Sequence, residues 1–163
     1  MAIVMCGFSL YAQSQENSEG PLQIELEAFL VESVTSASGE VTERFSLAAE
    51  VTPGQIIEYR LNLLHIGEAT LPAGVRARGP IPAQTAYLAA SASPSSALAI
   101  LEFSADSGEM YASEPLTRTE TDTSGNEITV EIPPSDYTDA RWTLQDPLEP
   151  GQVLTFIYRV EVQ

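Results

Sequence analysis

Leu22-Gln23-Ile24-Glu25-Leu26-Glu27-Ala28-Phe29-Leu30 is the stretch that decides the fold class. Leu22, Ile24, Leu26, Ala28 and Leu30 occupy every second position, with Gln23, Glu25 and Glu27 between them. A period of two is the geometry of a strand, whose successive side chains leave opposite faces. One dry face and one wet face is the pattern of an antiparallel sheet. The same alternation recurs down the chain. Ile57, Tyr59, Leu61 and Leu63 alternate with Glu58, Arg60 and Asn62. Ile128, Val130 and Ile132 alternate with Glu127, Thr129 and Glu131. Leu154, Phe156, Tyr158, Val160 and Val162 alternate with Thr155, Arg159 and Glu161. Val41, Phe45, Leu47, Ala49 and Val51 share a face that Glu43 interrupts, so that strand is predicted to start after Glu43.

Turn signals divide these runs at short intervals: Ser38-Gly39, Pro53-Gly54, Pro72-Ala73-Gly74, Gly79-Pro80, Ser107-Gly108, Ser124-Gly125, Pro133-Pro134 and Pro150-Gly151. Shorter strands are expected over 75–78, 85–90, 98–103, 110–113 and 140–144, and no dozen residues carry a helical stripe. Ten short strands with this punctuation imply an all-β sandwich or barrel. In a sandwich, Tyr59, Phe103, Trp142, Phe156 and Tyr158 would lie between the sheets. Residues 21–163 are expected to form a single domain.

The charge is lopsided. The 163 residues carry 7 basic and 23 acidic side chains, for a net charge of -16, and every basic residue is Arg. Nucleic-acid binding is excluded as an expectation, because it rests on clustered Lys and Arg that release counterions from phosphate. Without Lys there is no Schiff-base chemistry and no phosphate-binding lysine. With one Cys, Cys6, no intrachain disulfide can form. Ala2–Ala12 is an apolar run of signal-peptide length, too short to span a bilayer, and a polar stretch from Gln13 follows it. Residues 1–20 are therefore expected to be a signal-peptide remnant and linker, and the chain to be exported to the cell envelope or beyond. Lipidation at Cys6 is disfavoured by the bulk of Met5.

Several stretches together resemble a known family. They are Val51-Thr52-Pro53-Gly54-Gln55 before Tyr59-Arg60-Leu61, Pro80-Ile81-Pro82-Ala83 followed by Thr85 and Tyr87, and Glu102-Phe103-Ser104-Ala105-Asp106-Ser107-Gly108-Glu109-Met110-Tyr111. Arg141-Trp142, Leu144, Pro147-Leu148, Pro150-Gly151 and Tyr158-Arg159-Val160-Glu161-Val162 complete the series. In order and spacing this looks like the bacterial cell-surface conserved-repeat domain, domain of unknown function eleven, over 51–163. The resemblance implies an immunoglobulin-like, Greek-key antiparallel β-sandwich in an exported protein, without catalytic residues. The sequence departs from the family at His65-Ile66-Gly67, where an Asn-x-Gly turn is common, and at Gly79, where an acidic residue is common.

Candidate sites are few. His65 is the only imidazole and no G-x-S-x-G elbow accompanies it, so it is expected to be a turn residue that satisfies backbone groups. The acidic loops 106–109, 120–122 and 136–139 lack the D-x-[DN]-x-[DN]-G calcium pattern; Asp122–Glu127 comes nearest, and solvated loops are expected. Trp142, Tyr87, Tyr111 and Tyr137 could form a sugar platform, but Trp142 alternates with Arg141 and Thr143 and is expected in the core. Arg60 and Arg159 are expected to neutralise Glu58 and Glu161. No catalytic, cofactor-binding or metal-ligating residues are assigned, and no enzyme is expected. The expected role is structural or interactive, with another envelope protein or a surface polymer as partner. The alternative is a carbohydrate-binding or accessory module.

Overall fold

The computed structural model describes residues 20–94 and 98–163. Ten strands form: β1 (Leu22–Thr35), β2 (Val41–Leu47), β3 (Ile56–His65), β4 (Arg76–Pro80), β5 (Thr85–Tyr87), β6 (Ala99–Ser104), β7 (Thr117–Thr121), β8 (Glu127–Glu131), β9 (Asp139–Leu144) and β10 (Val153–Val162). All ladders are antiparallel. One sheet runs β2-β1-β3-β10-β5, a second runs β4-β9-β6, and β7-β8 is a separate hairpin.

The core lies between the first two sheets. Register places Tyr59 opposite both Ala28 and Tyr158, and Leu61 opposite Leu26 and Phe156, so these residues share the inner face of the five-stranded sheet. From the smaller sheet Trp142 meets Phe156 at 5.2 Å and Tyr158 at 5.9 Å between ring centroids. Tyr59, Phe103, Trp142, Phe156 and Tyr158 are all buried, as the alternation predicts. Gly79 on β4 is what lets the two sheets approach. A Cβ there would lie 2.5 Å from the Tyr158 ring, whose hydroxyl donates to the Pro80 carbonyl at 2.6 Å. A larger side chain at Gly79 would have to displace the Tyr158 ring.

Three expectations are corrected. Residues 110–113 form no strand; only Ala112 bridges, to Phe103. In their place Thr117–Thr121 pairs with β8, although Thr-Arg-Thr-Glu-Thr carries no apolar face. β2 starts at Val41, before Glu43, and its apolar residues are not core. Phe45 pairs with Val31, which pairs with Ile56, so this row lies on the outer face, and Val41 and Leu47 are 63% and 72% exposed. Glu43 therefore fits its face rather than breaking it.

The smaller sheet covers β3, β10 and β5, and among the described residues the β1–β2 side of the larger sheet is left largely bare. Tyr87 on β5 packs on Phe103 and Tyr137, and Gly79 faces Tyr158. On β1, Leu22, Leu26 and Ala28 are only half-buried against the core edge, and Ile24 is 44% exposed. The apolar run Ala2–Ala12 and Cys6 lie outside the described residues.

Candidate functional site

A charged cluster lies on the outer face of the five-stranded sheet. Glu58 is 3% exposed although its face looks away from the core. The strand register sets Arg159 directly opposite it and Arg60 two residues on. Arg60 Nε donates to Glu58 Oε1 at 2.8 Å, and Arg159 Nε donates to Glu58 Oε2 at 2.9 Å. The other two nitrogens of Arg159 grip both oxygens of Glu43 at 2.7 Å. Paired charge of this kind holds a desolvated carboxylate that would be costly alone. Phe29 and Phe45 roof the cluster, their ring centroids 4.5 and 4.9 Å from the Arg60 guanidinium. Hydrogen bonding to Arg159 holds the Glu43 carboxyl below its ordinary range, and the Arg159 guanidinium is pushed up in turn. The expected partner Glu161 makes no ion pair among the described residues; Arg159 is taken by Glu58 and Glu43.

A second constellation sits where β4, β9 and the 104–110 loop meet. Asp139 is buried, not a solvated loop acid. It accepts from Arg78 Nε at 2.7 Å through Oδ1 and from Thr138 Oγ1 at 2.9 Å through Oδ2. Arg78 Nη2 also donates to the Ser107 carbonyl at 3.0 Å. Within the loop, Ser104 Oγ donates to Asp106 Oδ1, which also accepts the amides of Glu109 and Met110; these bonds hold the Asp106 carboxyl below its usual range. Beside it, Arg141 pairs with Glu102 and lies 3.8 Å from the Tyr111 ring centroid. An open cleft of about 440 Å³ adjoins, with Thr85, Ser135, Asp136 and Thr138 in its wall.

The remaining sequence candidates are structural in their contacts. His65 ends β3 and is 0% exposed; neither ring nitrogen has a hydrogen-bond partner among the described residues, so it does not satisfy backbone groups as expected. Its neighbour Gly67 is forced, since a Cβ there would lie 2.7 Å from Pro21 and 3.0 Å from the imidazole. Asp122 spends its carboxylate on the amides of Ser124 and Asn126, both at 2.8 Å, which lowers its pKa. Among the described residues no group of three or more His, Cys, Asp and Glu side chains is placed to hold a metal. Trp142, Tyr87 and Tyr137 are core residues and Tyr111 is covered by Arg141, so they make no joint platform. Burial pushes the Tyr87 hydroxyl up to about 12.

The feature that sequence reading missed is the open side of the larger sheet. β2 leaves β1 after Leu47, whose partner is Phe29, while β3 continues along β1 to Leu22. Leu22–Glu27 thus has a strand on one side only among the described residues. The Ala28 carbonyl accepts from the Ala48 amide on the β2 side. Strand alternation then turns the N–H and C=O groups of Leu22, Ile24 and Leu26 to that open side, and those of Gln23, Glu25 and Glu27 to β3. The acids remain the surface's main charge, because six of the seven arginines are held in ion pairs with carboxylates. No described helix is long and apolar enough to cross a membrane. Comparison with protein-family models, with curated proteins and with solved structures returns no match.

Proposed function

We propose that this chain is an exported immunoglobulin-like β-sandwich of the bacterial cell envelope, with a structural or protein-interaction role and no reaction of its own. The observation that carries the reading is the open side of the five-stranded sheet, where β2 and the first half of β1 present backbone without a strand partner among the described residues, beside exposed apolar side chains. Such edges are usually covered, because they recruit other strands. Supporting it are the signal-like run Ala2–Ala12 and the ordered series of stretches that resemble the surface-repeat family. The chain also passes between the two sheets at each step from β3 to β6, which suits a Greek-key sandwich.

A second reading, a carbohydrate-binding or accessory module, is favoured by one observation: the cleft beside Arg78 is walled by hydroxyls and carboxylates. Glycan-array screening of the full chain reads it separately.

The test of the first reading is location. A tagged full chain expressed in a bacterial host should be released with the envelope fraction and be cut by protease added to intact or osmotically opened cells. Protection from protease until the cytoplasm is lysed would overturn it.

A further inference from the structure

We infer that the open edge at Leu22–Glu27 is an acceptor site for an extended peptide segment of alternating apolar and basic residues, which joins the five-stranded sheet as an additional strand in line with β2. This rests on the interaction reading above and gives it a place and a partner chemistry.

Three observations specify the partner. First, among the described residues the edge is open: Leu22, Ile24 and Leu26 turn their backbone groups outward while β3 holds the other side of the strand. Main-chain pairing along such an edge supplies affinity without needing a pocket. The six residues span about 20 Å at strand rise, room for a partner of six to eight residues. Second, the inner face at this edge is apolar and adjoins the core. Leu22 and Leu26 pack against buried residues, Ile24 is 44% exposed, and its partner Leu63 is fully buried. Residues of the added strand that fall on this face must be apolar, since they continue the core. Third, the outer face of the same six residues carries Gln23, Glu25 and Glu27, with no arginine among them. Arg60, opposite Glu27, is turned to Glu58, and Glu27 is bonded instead by the Asn62 side chain. Residues of the added strand on this face meet carboxylates, and basic side chains complement them.

The edge of β2 is the weaker acceptor. Both its faces are exposed, so a strand added there continues no core. Its charges are also already spent, Arg44 on Glu32 and Glu43 on Arg159.

The experiment is fluorescence anisotropy of the full chain with labelled eight-residue synthetic peptides. A peptide alternating Ile and Lys should bind, and a peptide alternating Ile and Glu, or the Ile/Lys composition in scrambled order, should bind at least about tenfold more weakly. The same Ile/Lys peptide N-methylated at every second residue, on the edge that faces β1, should lose binding. Ile24→Pro removes an outward N–H without touching the β3 ladder, and should also abolish binding. Glu25→Lys should weaken it by about fivefold. Equal binding of the scrambled peptide would reduce the effect to general attraction to an acidic protein and overturn the site. Binding that survives both N-methylation and Ile24→Pro would overturn it as well. The N-methylated peptide decides the matter even if Ile24→Pro fails to fold. Absence of binding by every peptide would overturn the inference and leave export, read by protease accessibility, standing or falling by itself.

Discussion

β1 and β3 are neighbours in one sheet, paired over ten residues, and both alternate apolar and polar side chains, β1 over Leu22–Ala28 and β3 over Ile57–Leu63. Their fates differ. Ile57, Tyr59, Leu61 and Leu63 on β3 are buried, whereas Leu22, Ile24 and Leu26 on β1, directly beside them in register, remain half-exposed. The difference comes from the second sheet. With three strands against five, it covers β3 and β10 and stops short of β1 and β2. Alternation reports the dihedral pattern of a strand and the existence of a dry face; whether another layer reaches that face is a property of the whole arrangement.

The largest effect that sharpens the comparison is expected on the covered side. Trp142→Ala empties the space between Phe156 and Tyr158 and should cost about 3–5 kcal/mol, read as a fall in Tm and in the denaturation midpoint. Ile24→Ala, on the inner face of β1 beside Leu63, should cost about 1 kcal/mol or less because Ile24 is 44% exposed. Equal losses would mean the bare side is covered.

Gly79→Ala comes next. The added methyl runs into Tyr158, which is itself fixed by its bond to Pro80 and by stacking on Tyr59 at 5.1 Å. Overpacking of this kind should cost about 1–3 kcal/mol. The double variant Gly79→Ala/Tyr158→Leu should recover part of the loss in thermal melts, since the clash is with the ring.

Arg159→Ala contrasts two ion pairs on the same sheet. It leaves the buried Glu58 with Arg60 as its remaining cation and releases Glu43, and should cost about 2 kcal/mol in chemical denaturation. Arg44→Ala breaks an exposed pair with Glu32 at the outlying end of the hairpin and should leave the Tm unchanged. A large loss at Arg44 would contradict the view that this end carries little of the stability.

The smallest effect is acid loss. Glu43, Asp106 and Asp122 are held below their ordinary ranges by hydrogen bonds, led by Arg159, Met110 and Asn126 respectively. A carboxyl with a depressed folded pKa contributes stability that is complete above its unfolded value, near 4, and is lost as pH falls through the folded one. Stability should therefore be flat at neutral pH from these groups and decline below about pH 4. Arg159→Ala should flatten that decline, because Glu43 then titrates normally.

Much of the fold was legible. The strands at 22–30, 57–63, 140–144 and 154–162 follow from alternation, and the aromatic core follows from which face they share. β7 was not, because Thr117–Thr121 is polar on both sides and is held by its pairing with β8 alone. The Glu43–Arg159 clamp joins residues 116 positions apart across the outer face of the sheet, and no local spacing marks it. The pairing of Glu58 with Arg60 was readable from their same-face spacing. His65 was misread because a polar residue beside a glycine resembles a turn, whereas the strand extends through it and Pro21 closes over Gly67. The open edge was invisible for a related reason: sequence marks a strand without saying where its neighbour departs.

Amide hydrogen exchange of the full chain, resolved residue by residue by NMR, tests the central claim most directly. If β3 holds one side of β1 and the other is open, protection should alternate. The amides of Gln23, Glu25 and Glu27 should exchange slowly and those of Ile24 and Leu26 quickly, with uniform protection resuming in the stretch paired on both sides from Phe29 to Val31. Uniform protection across Leu22–Glu27 would mean that another segment already occupies the edge, and would contradict the account.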